Sequence, residues 1–205
     1  MSNPTQDRFY TVEEYFALEA STEEEKYEYI NGRIIAVRET LAMAGGAPRH
    51  VLISANIVRA LGNRLEGGPC RAYGSDLRVH IPRKTLYFYP DVSVICGPIE
   101  IDPNRSAGDT VTNPKLIVEV LSPGTERYDR GEKFARYLEL PALQEYVLVS
   151  QQTRRVESLL RQNDDSWSFT FASGTDATIK LRSLDIKLPL IDIYSGVDLP
   201  AEECD

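Results

Sequence analysis

Two carboxylates occupy stretches of the sequence that are otherwise apolar. Glu119 is the one polar residue of "LIVEVL" (residues 116–121), and Asp91 follows Pro90 at the head of "PDVSVI". Stretches of this composition are typical of buried β-strands. A carboxylate in such surroundings is costly unless a proton, a cation or hydrogen-bond donors compensate its charge.

The two acids together suit a divalent metal ion. Sequential strands are often neighbours in a sheet, so we expect Asp91 and Glu119 to meet. Two carboxylates that lie close together repel each other unless one takes up a proton or a cation binds between them. We therefore predict a Mg²⁺ (or Mn²⁺) site held by Asp91 and Glu119. Taken singly, Glu119 is better explained as an edge residue, a cap partner or half of a salt bridge, and Asp91 as a turn residue. Only their joint occurrence favours a shared site.

The segment after "LIVEVL" offers a cation. A turn at Ser122-Pro123-Gly124 leads into a predicted helix from about Thr125 to Leu138. Asp129, Lys133 and Tyr137 are spaced i, i+4 and i+8, so they share one stripe of that helix. Because the stripe lies beside the apolar one, Lys133 is expected at the border between core and solvent.

The N-terminal segment supplies a further acid. Thr11 and Glu14 have the spacing of a capping box, which predicts a helix from Val12 to about Ala20. Asn31-Gly32 between apolar runs predicts a tight hairpin, in which Ile30 faces Arg33 and Glu28 faces Ile35. Without further information Glu28 is best explained as a charged residue of a solvated hairpin.

The remaining elements predict an α/β fold with a mixed, twisted sheet. "PRHVLISANIVRALGNRLEGG" is a helix with His50 on its apolar stripe, and His50 is best explained as a packing residue at the helix start. Strands are predicted at "LRVHI", "LYFYPDVSVI" and "EYVLVS", and the last part of the chain resembles a β meander. We expect a single domain over residues 1–205, with an ordered core from about 9 to 199 and loosely held ends.

Composition limits the classes of function. The 205 residues suffice for one core, and no apolar run has the length of a membrane span. The net charge of -8 repels nucleic acid on average, so a polyanion must meet a local basic patch. Three widely spaced cysteines fit a reducing cytoplasm, with neither a disulfide framework nor a zinc ribbon. Two histidines exclude a site built on several imidazoles.

The order of these segments resembles a known family. "TVEEYFAL", "YEYINGRI", "YPDVSVI", "LIVEVLSPGT", "DRGEKFARYL" and "EYVLVS" follow one another as in the Uma-type putative restriction endonuclease family of the PD-(D/E)XK nuclease superfamily. The similarity covers about Thr11 to Leu190. It implies a restriction-endonuclease-like sheet flanked by helices. In this family Asp91 corresponds to the first acid of the motif, Glu119 to the second and Glu28 to an N-terminal acid.

The sequence departs from the superfamily pattern at one position. The lysine expected two residues after the second acid is replaced here by Leu121. The recurrent lysine of this family lies in the next helix, where Lys133 stands together with Asp129 and Tyr137. The resemblance thus implies that Lys133 replaces the missing cation.

The implied activity is Mg²⁺-dependent hydrolysis of DNA phosphodiester bonds. Asp91 and Glu119 would hold the metal, and Lys133 would orient water or stabilise charge on phosphorus. Glu28 would complete the ligand shell of the metal through a water molecule or hold a second ion. His50 would contact phosphate. The resemblance also implies a DNA substrate and a homo-oligomer, dimer or larger.

Two other classes of function stay open at this point. A nuclease fold without turnover, serving interaction or nucleic-acid binding, is favoured by the net charge and by Leu121. A glycosidase that uses Glu119 and Asp91 as acid and base is less favoured. Sugar sites usually contain aromatic platforms, and the only tryptophan, Trp167, lies in the late meander.

Overall fold

The computed structural model describes residues 8–22, 25–37, 47–104 and 108–200. Most of the chain ends that the sequence predicts to be loosely held lie outside these ranges. The elements, in chain order, are α1 (Val12–Glu19), β1 (Tyr27–Ile30), β2 (Arg33–Ala36), α2 (Ala47–Leu65), β3 (Cys70–Gly74), β4 (Val79–Ile81), a 3-10 turn (Pro82–Lys84), β5 (Leu86–Phe88), β6 (Val92–Cys96), β7 (Leu116–Leu121), α3 (Glu126–Tyr128), a π-helical turn (Asp129–Lys133), α4 (Phe134–Tyr137), β8 (Glu145–Ser150), β9 (Arg155–Arg161), β10 (Trp167–Ser173), β11 (Thr178–Leu181), β12 (Ile186–Pro189) and α5 (Leu190–Ile193).

A six-stranded sheet forms the centre of the molecule. Its order is β10-β9-β8-β7-β6-β3, and β7 and β8 are parallel whereas the other pairs are antiparallel. A parallel pair needs a crossover connection, and α3, the π turn and α4 supply it. The mixed α/β sheet predicted from the sequence is thereby confirmed.

Both faces of this sheet are covered, which explains why β7 and β8 are apolar almost throughout. On one face α2 and the β11–β12 hairpin pack on Val118, Val120 and their neighbours. On the other face the second sheet and α4 pack on Ile117 and Leu121. Glu119 lies between Ile117 and Leu121 in the alternation, so its side chain enters the second interface.

The second sheet carries Glu28 to that interface. Its order is β2-β1-β5-β4, with every pair antiparallel. The predicted hairpin register is confirmed, since Ile30 pairs with Arg33 and Glu28 with Ile35. Asn31 and Gly32 have φ angles of 50° and 90°, as the two-residue turn requires.

Several expectations need correction. The run "LYFYPDVSVI" is two strands, β5 and β6, in different sheets, because Pro90 has no backbone N–H to continue a ladder. Strand β3 was not predicted, since "CRAYG" lacks an apolar alternation. The late strands are only in part a meander: β8, β9 and β10 are consecutive neighbours, whereas β11 and β12 form a separate hairpin.

The expectation of no disulfide is also wrong. Cys70 and Cys96 are directly opposite in the β3–β6 ladder and form a disulfide. Their sequence separation of 26 residues gave no sign of this pairing, which is set by the register of two strands. Within the described ranges, no helix is both long and apolar enough to cross a membrane.

The predicted helix after β7 is confirmed, since residues 126–137 are helical without a break, but its middle turn is not α-helical. Residues Asp129–Lys133 form a π-helical turn between two short α-helical pieces. Turns of this kind are frequent at functional sites because they redirect side chains within a helix. Here the π turn begins with Asp129 and ends with Lys133, and both side chains are buried.

Candidate active site

The two predicted metal acids are brought together by the central sheet. Val92 of β6 is opposite Val118 of β7, so Asp91 comes to lie beside Glu119 in the antiparallel pair. The Val120 backbone N–H donates to Asp91 Oδ2 at 2.7 Å. This bond ties the turn before β6 to β7 and fixes the Asp91 carboxylate at the strand end.

Lys133 is the cation that balances Glu119. Its Nζ lies 2.8 Å from Glu119 Oε1, 3.5 Å from Glu28 Oε1 and 3.9 Å from Asp129 Oδ1. The lysine is only 7% exposed, so the expected position at the border of the core is corrected. A buried ammonium is tolerated here because three carboxylates surround it.

The hairpin acid is also inside the molecule. Glu28 is 8% exposed, which corrects its interpretation as a solvated hairpin residue. The Tyr89 backbone N–H donates to its Oε1 over 3.5 Å, and Lys133 lies at the same distance. Strand β1 therefore delivers Glu28 to Lys133 across the interface between the two sheets.

Two further residues of the predicted site contact the acids Glu119 and Asp91. The Tyr137 hydroxyl donates to Glu119 Oε1 at 3.0 Å. His50 Nε2 lies 3.1 Å from Asp91 Oδ2. The imidazole is 6% exposed and is held by the first turns of α2, so it packs at the helix start as expected and contacts Asp91 as well.

Burial and crowding shift the acid–base equilibria of the site. Burial raises the pKa of Glu119 well above its usual range; the Lys133 ammonium opposes this shift and the Asp91 carboxylate adds to it. Burial also raises the pKa of Glu28 and of Asp129, again against the effect of Lys133. The acids thus crowd one another, as expected for carboxylates that share a poorly solvated place.

The pKa values of the two bases, Lys133 and His50, are raised by neighbouring carboxylates although burial alone would lower them. Burial disfavours the Lys133 ammonium, but Glu119 and Glu28 outweigh this effect and raise the pKa of Lys133 well above its usual range. Burial likewise disfavours the protonated form of His50, and the hydrogen bond to Asp91 with the Asp91 charge raises its pKa. Lys133 therefore carries a positive charge at neutral pH.

The carboxylates leave room for a metal ion. Each of the hydrogen bonds and ion pairs described above uses Oδ2 of Asp91 or Oε1 of Glu119. Among the described residues, none reaches the other oxygen of either carboxylate. No group of three His, Cys, Asp or Glu residues in these parts of the chain is arranged to hold a metal. The donor set is thus two carboxylates, which suits Mg²⁺ with water and phosphate as further ligands.

The charged groups lie in a cavity of about 650 Å³. Glu28, His50, Asp91, Glu119, Asp129 and Lys133 are all among its lining residues. Tyr137 is fully buried behind them. The structure therefore brings together every site residue that the sequence predicts, while their catalytic and metal-binding roles stay predictions.

Sequence reasoning missed the wall of the cavity. Tyr89 and Tyr128 line it, together with Val51, Ala55, Val58 and Arg59 of α2. One signal was available, because Tyr89 and Tyr128 come shortly before the site acids in "YPD" and "YDRGEK". The α2 residues of the wall form a second helical stripe, beside the apolar stripe that packs in the core. The local sequence does not show which of the two stripes faces a cavity.

Comparisons with known proteins agree with this geometry. The Uma2 family model, described as "Putative restriction endonuclease", matches residues 12–190. Two uncharacterised proteins of Synechocystis sp. are similar over most of their length. Protein slr1290 is 37% identical over 185 residues (90% of this chain, 91% of that protein). Protein sll1609 is 35% identical over 176 residues (86% of this chain, 94% of that protein).

A solved structure shares the fold. It is the crystal structure of a "putative nuclease belonging to DUF820" from Anabaena variabilis, with a TM-score of 0.65 and 18% identity. The likeness covers 89% of this chain and 98% of that chain, and it confirms the restriction-endonuclease-like fold. Since the family model extends from the helix that contains Val12 to the end of the last hairpin and spans the whole site, the chain belongs to the Uma2 family of putative restriction endonucleases.

Proposed function

We propose that the protein is a divalent-metal-dependent endonuclease that hydrolyses phosphodiester bonds of DNA. Membership of the Uma2 family supports a nuclease. The observation that carries the proposal is the pair Asp91 and Glu119, side by side at a cavity, with Lys133 Nζ 2.8 Å from Glu119 Oε1. Acids on adjacent strands with an ammonium beside them suit phosphoryl chemistry.

Asp91 and Glu119 would hold Mg²⁺ or Mn²⁺ through the oxygens that face the cavity. The ion, when bound, polarises the phosphoryl oxygen and makes a water molecule more acidic. Five carboxylates (Glu28, Asp76, Asp91, Glu119 and Asp129) line the cavity against Lys26, Arg59, Lys133 and one histidine, so the acids outnumber the permanent cations by five to three and the metal-free site repels phosphate. The bound cation would therefore also be needed for the substrate to enter.

Lys133 would orient the attacking water or stabilise the charge that develops on phosphorus. It reaches the acid pair from the π turn, whereas the superfamily pattern places its lysine at the position of Leu121. Leu121 is 3% exposed and packs in the core, so no cation is available from that position. Glu28 would bind water on the far side of Lys133, and His50 would hold the orientation of Asp91.

One observation favours a second function, a nuclease fold that binds without turnover. The Lys133 ammonium lies 2.8 Å from Glu119 Oε1 and compensates its charge, a role that a metal ion would otherwise fill. In that case nucleic-acid binding would persist and cleavage would be absent with every metal. The expected homo-oligomer also stays a prediction, which sedimentation analysis tests.

The test combines metal binding with cleavage. Mg²⁺ or Mn²⁺ should raise the melting temperature of the wild type, and the stabilisation should reach about 2.7 kcal/mol when the ion is present at 100 times its Kd. Asp91→Asn should lose this effect and should lose cleavage of plasmid and single-stranded DNA. Asp185→Asn is the matched control, since its side chain is exposed and pairs with Lys180 far from the site.

The outcomes separate the alternatives. Equal metal affinity in wild type and Asp91→Asn would remove Asp91 from the site. Metal binding without cleavage of any DNA would favour the fold without turnover. Cleavage in EDTA at the rate seen with Mg²⁺ would contradict a metal-dependent mechanism.

A further inference from the structure

The acids of the site lie at the bottom of a recess. Glu119 is 3% exposed and Asp129 4%, and both line the same cavity as the largely exposed Val51 at its rim. A scissile phosphate must therefore enter the cavity to reach the acids. Paired DNA is stiff over about 50 nm, so bringing its backbone into such a recess costs deformation energy that an unpaired strand avoids.

One wall of the recess is apolar and lies mostly outside the core, although Val58 packs against it. Val51, Ala55 and Val58 follow one another at i, i+4 and i+7 on α2 and line the cavity. The core-facing stripe of the same helix is a different one, with Ile53, Ile57 and Leu61 fully buried. Val51 is 62% exposed, so the second stripe offers apolar surface to something other than the protein.

Two aromatic side chains line the same cavity. The Tyr89 hydroxyl is bound by Glu19, and the Tyr128 hydroxyl accepts a hydrogen bond from Arg136 at 2.6 Å. Both hydroxyls already have these partners, so Tyr89 and Tyr128 would contact a ligand through the ring surface that Lys26, Arg78 and Arg136 leave uncovered. Aromatic rings and aliphatic side chains together are the surroundings in which unstacked bases bind.

A cation stands on the same wall. Arg59 lines the cavity one residue after Val58, is exposed, and donates to Asn56 Oδ1 at 3.0 Å. Among the described residues no carboxylate lies within salt-bridge distance of Arg59. Its guanidinium is therefore available for a phosphate, in a cavity whose other charged groups are mostly acids.

From these observations we infer that the substrate is single-stranded or locally unpaired DNA, with an unstacked base against the α2 stripe and Tyr89 and Tyr128. Arg59 binds a phosphate next to the scissile one. The inference rests on the proposed nuclease function and specifies its substrate class. Stacking of an unstacked base on these side chains would favour unpaired over paired DNA.

Binding is measured first, in Ca²⁺ and separately from cleavage. Fluorescence anisotropy compares one labelled oligonucleotide as a single strand, as a perfect duplex and as a duplex with a central bulge. We expect the single strand and the bulged duplex to bind at least about tenfold more tightly than the perfect duplex, as 1.4 kcal/mol implies. Equal affinity for all three would overturn the inference.

Two variants locate the binding to the recess. Ala55→Glu places a charge on the apolar stripe and should weaken single-strand binding by about tenfold or more. Asn63→Glu makes the same change in net charge on the same helix, at an exposed residue outside the cavity lining, and should have little effect. Arg59→Gln should lower the slope of log affinity against log salt by about one. Equal effects of Ala55→Glu and Asn63→Glu would overturn the inference.

Cleavage with Mg²⁺ separates this inference from the proposed function. If the perfect duplex is cut as fast as the single strand, the inferred substrate class is wrong and the proposed nuclease function is retained. If no DNA is cut but binding selects unpaired DNA and depends on Ala55, the nuclease proposal fails and the binding site stands.

Discussion

Two buried glutamates lie on neighbouring parallel strands, and they are held in different ways. Glu145 at the start of β8 is fully buried, and its two oxygens accept from Ser158, from the backbone of Arg182, and from the backbone and hydroxyl of Ser183. Glu119 in β7 is 3% exposed, and its described contacts, Lys133 and Tyr137, both use Oε1.

The difference distinguishes an acid with a structural role from the acid that we propose to hold the metal. Glu145 is surrounded by uncharged donors that use both of its oxygens, on the sheet face opposite to that of Glu119. Glu119 has one oxygen free of described partners, lines a cavity and lies close enough to Asp91 for the two charges to interact. Burial alone does not mark a site; an unsatisfied oxygen at a cavity, among other charges, does.

The largest expected effect is a loss of cleavage on substitution of Glu119, which substitution of Glu145 should not cause. Glu119→Gln should abolish cleavage, because the variant loses a carboxylate that would hold the metal. The metal-free variant should be as stable as the wild type or more stable. The raised pKa of Glu119 means that burial of its charge and repulsion with Asp91 outweigh the ion pair with Lys133, and Lys133 keeps Glu28 and Asp129 as partners in the variant. Denaturant unfolding in EDTA and plasmid cleavage measure the two effects, and a strong loss of stability would make Glu119 a structural residue like Glu145.

The next effect concerns the cation beside Glu119. Lys133→Met keeps the length of the side chain and removes its charge, and should lower the cleavage rate by about a hundredfold or more, as for loss of one charge-stabilising group. Metal affinity should not fall, because Lys133 is not a ligand. Lys84→Met is the control, since Lys84 is an exposed lysine paired only with Glu139. Unchanged cleavage in Lys133→Met would reduce Lys133 to a counterion of Glu119.

The displaced lysine can also be moved back. Adding Leu121→Lys to the Lys133→Met variant should restore part of the rate, because residue 121 shares the sheet face of Glu119. The double variant should be less stable, since Leu121 is buried in the core. A double variant as inactive as Lys133→Met would show that the position of the ammonium, and not only its presence, is decisive.

A smaller effect is expected at Glu145, where substitution should lower stability and leave cleavage unchanged, the reverse of the result expected at Glu119. Glu145→Gln places an amide N–H₂ among groups that donate, so at least one buried donor loses its acceptor. The free energy of unfolding should fall by about 1–3 kcal/mol. Cleavage by the folded variant, assayed well below its melting temperature, should equal that of the wild type. A loss of cleavage in the stable fraction would place Glu145 in the function and remove the distinction between the two acids.

The smallest expected effect is a dependence on pH. Burial raises the pKa of Glu28 above its usual value, so the native state binds this proton more tightly than the unfolded chain does. The resulting stabilisation is present below the unfolded pKa and is lost as pH rises through the folded pKa. Relative to the wild type, Glu28→Gln should therefore gain stability as pH is raised from acid to neutral. Urea unfolding in EDTA across this range checks the sign; a constant difference would mean that Glu28 is ionised at the same pH in both states.

The local sequence determined most of the elements and marked the candidate site acids. The bounds of β7 and β8, the Thr11 cap and the Asn31-Gly32 hairpin were all predicted, because each depends on residues only a few positions apart. Apolar alternation likewise marked Glu119 as an unusual acid, and the resemblance to a family added Glu28 and Lys133.

Only the tertiary structure decided how these residues meet. The burial of Lys133 depends on carboxylates from β1 and β7, far away in the chain, and on a π turn that helical periodicity does not predict. The pairing of Cys70 with Cys96, the satisfied state of Glu145 and the cavity beside α2 arise in the same way. Each is a contact between distant segments, whose free energy is set by packing and desolvation in the assembled fold and leaves no periodic trace in the local sequence.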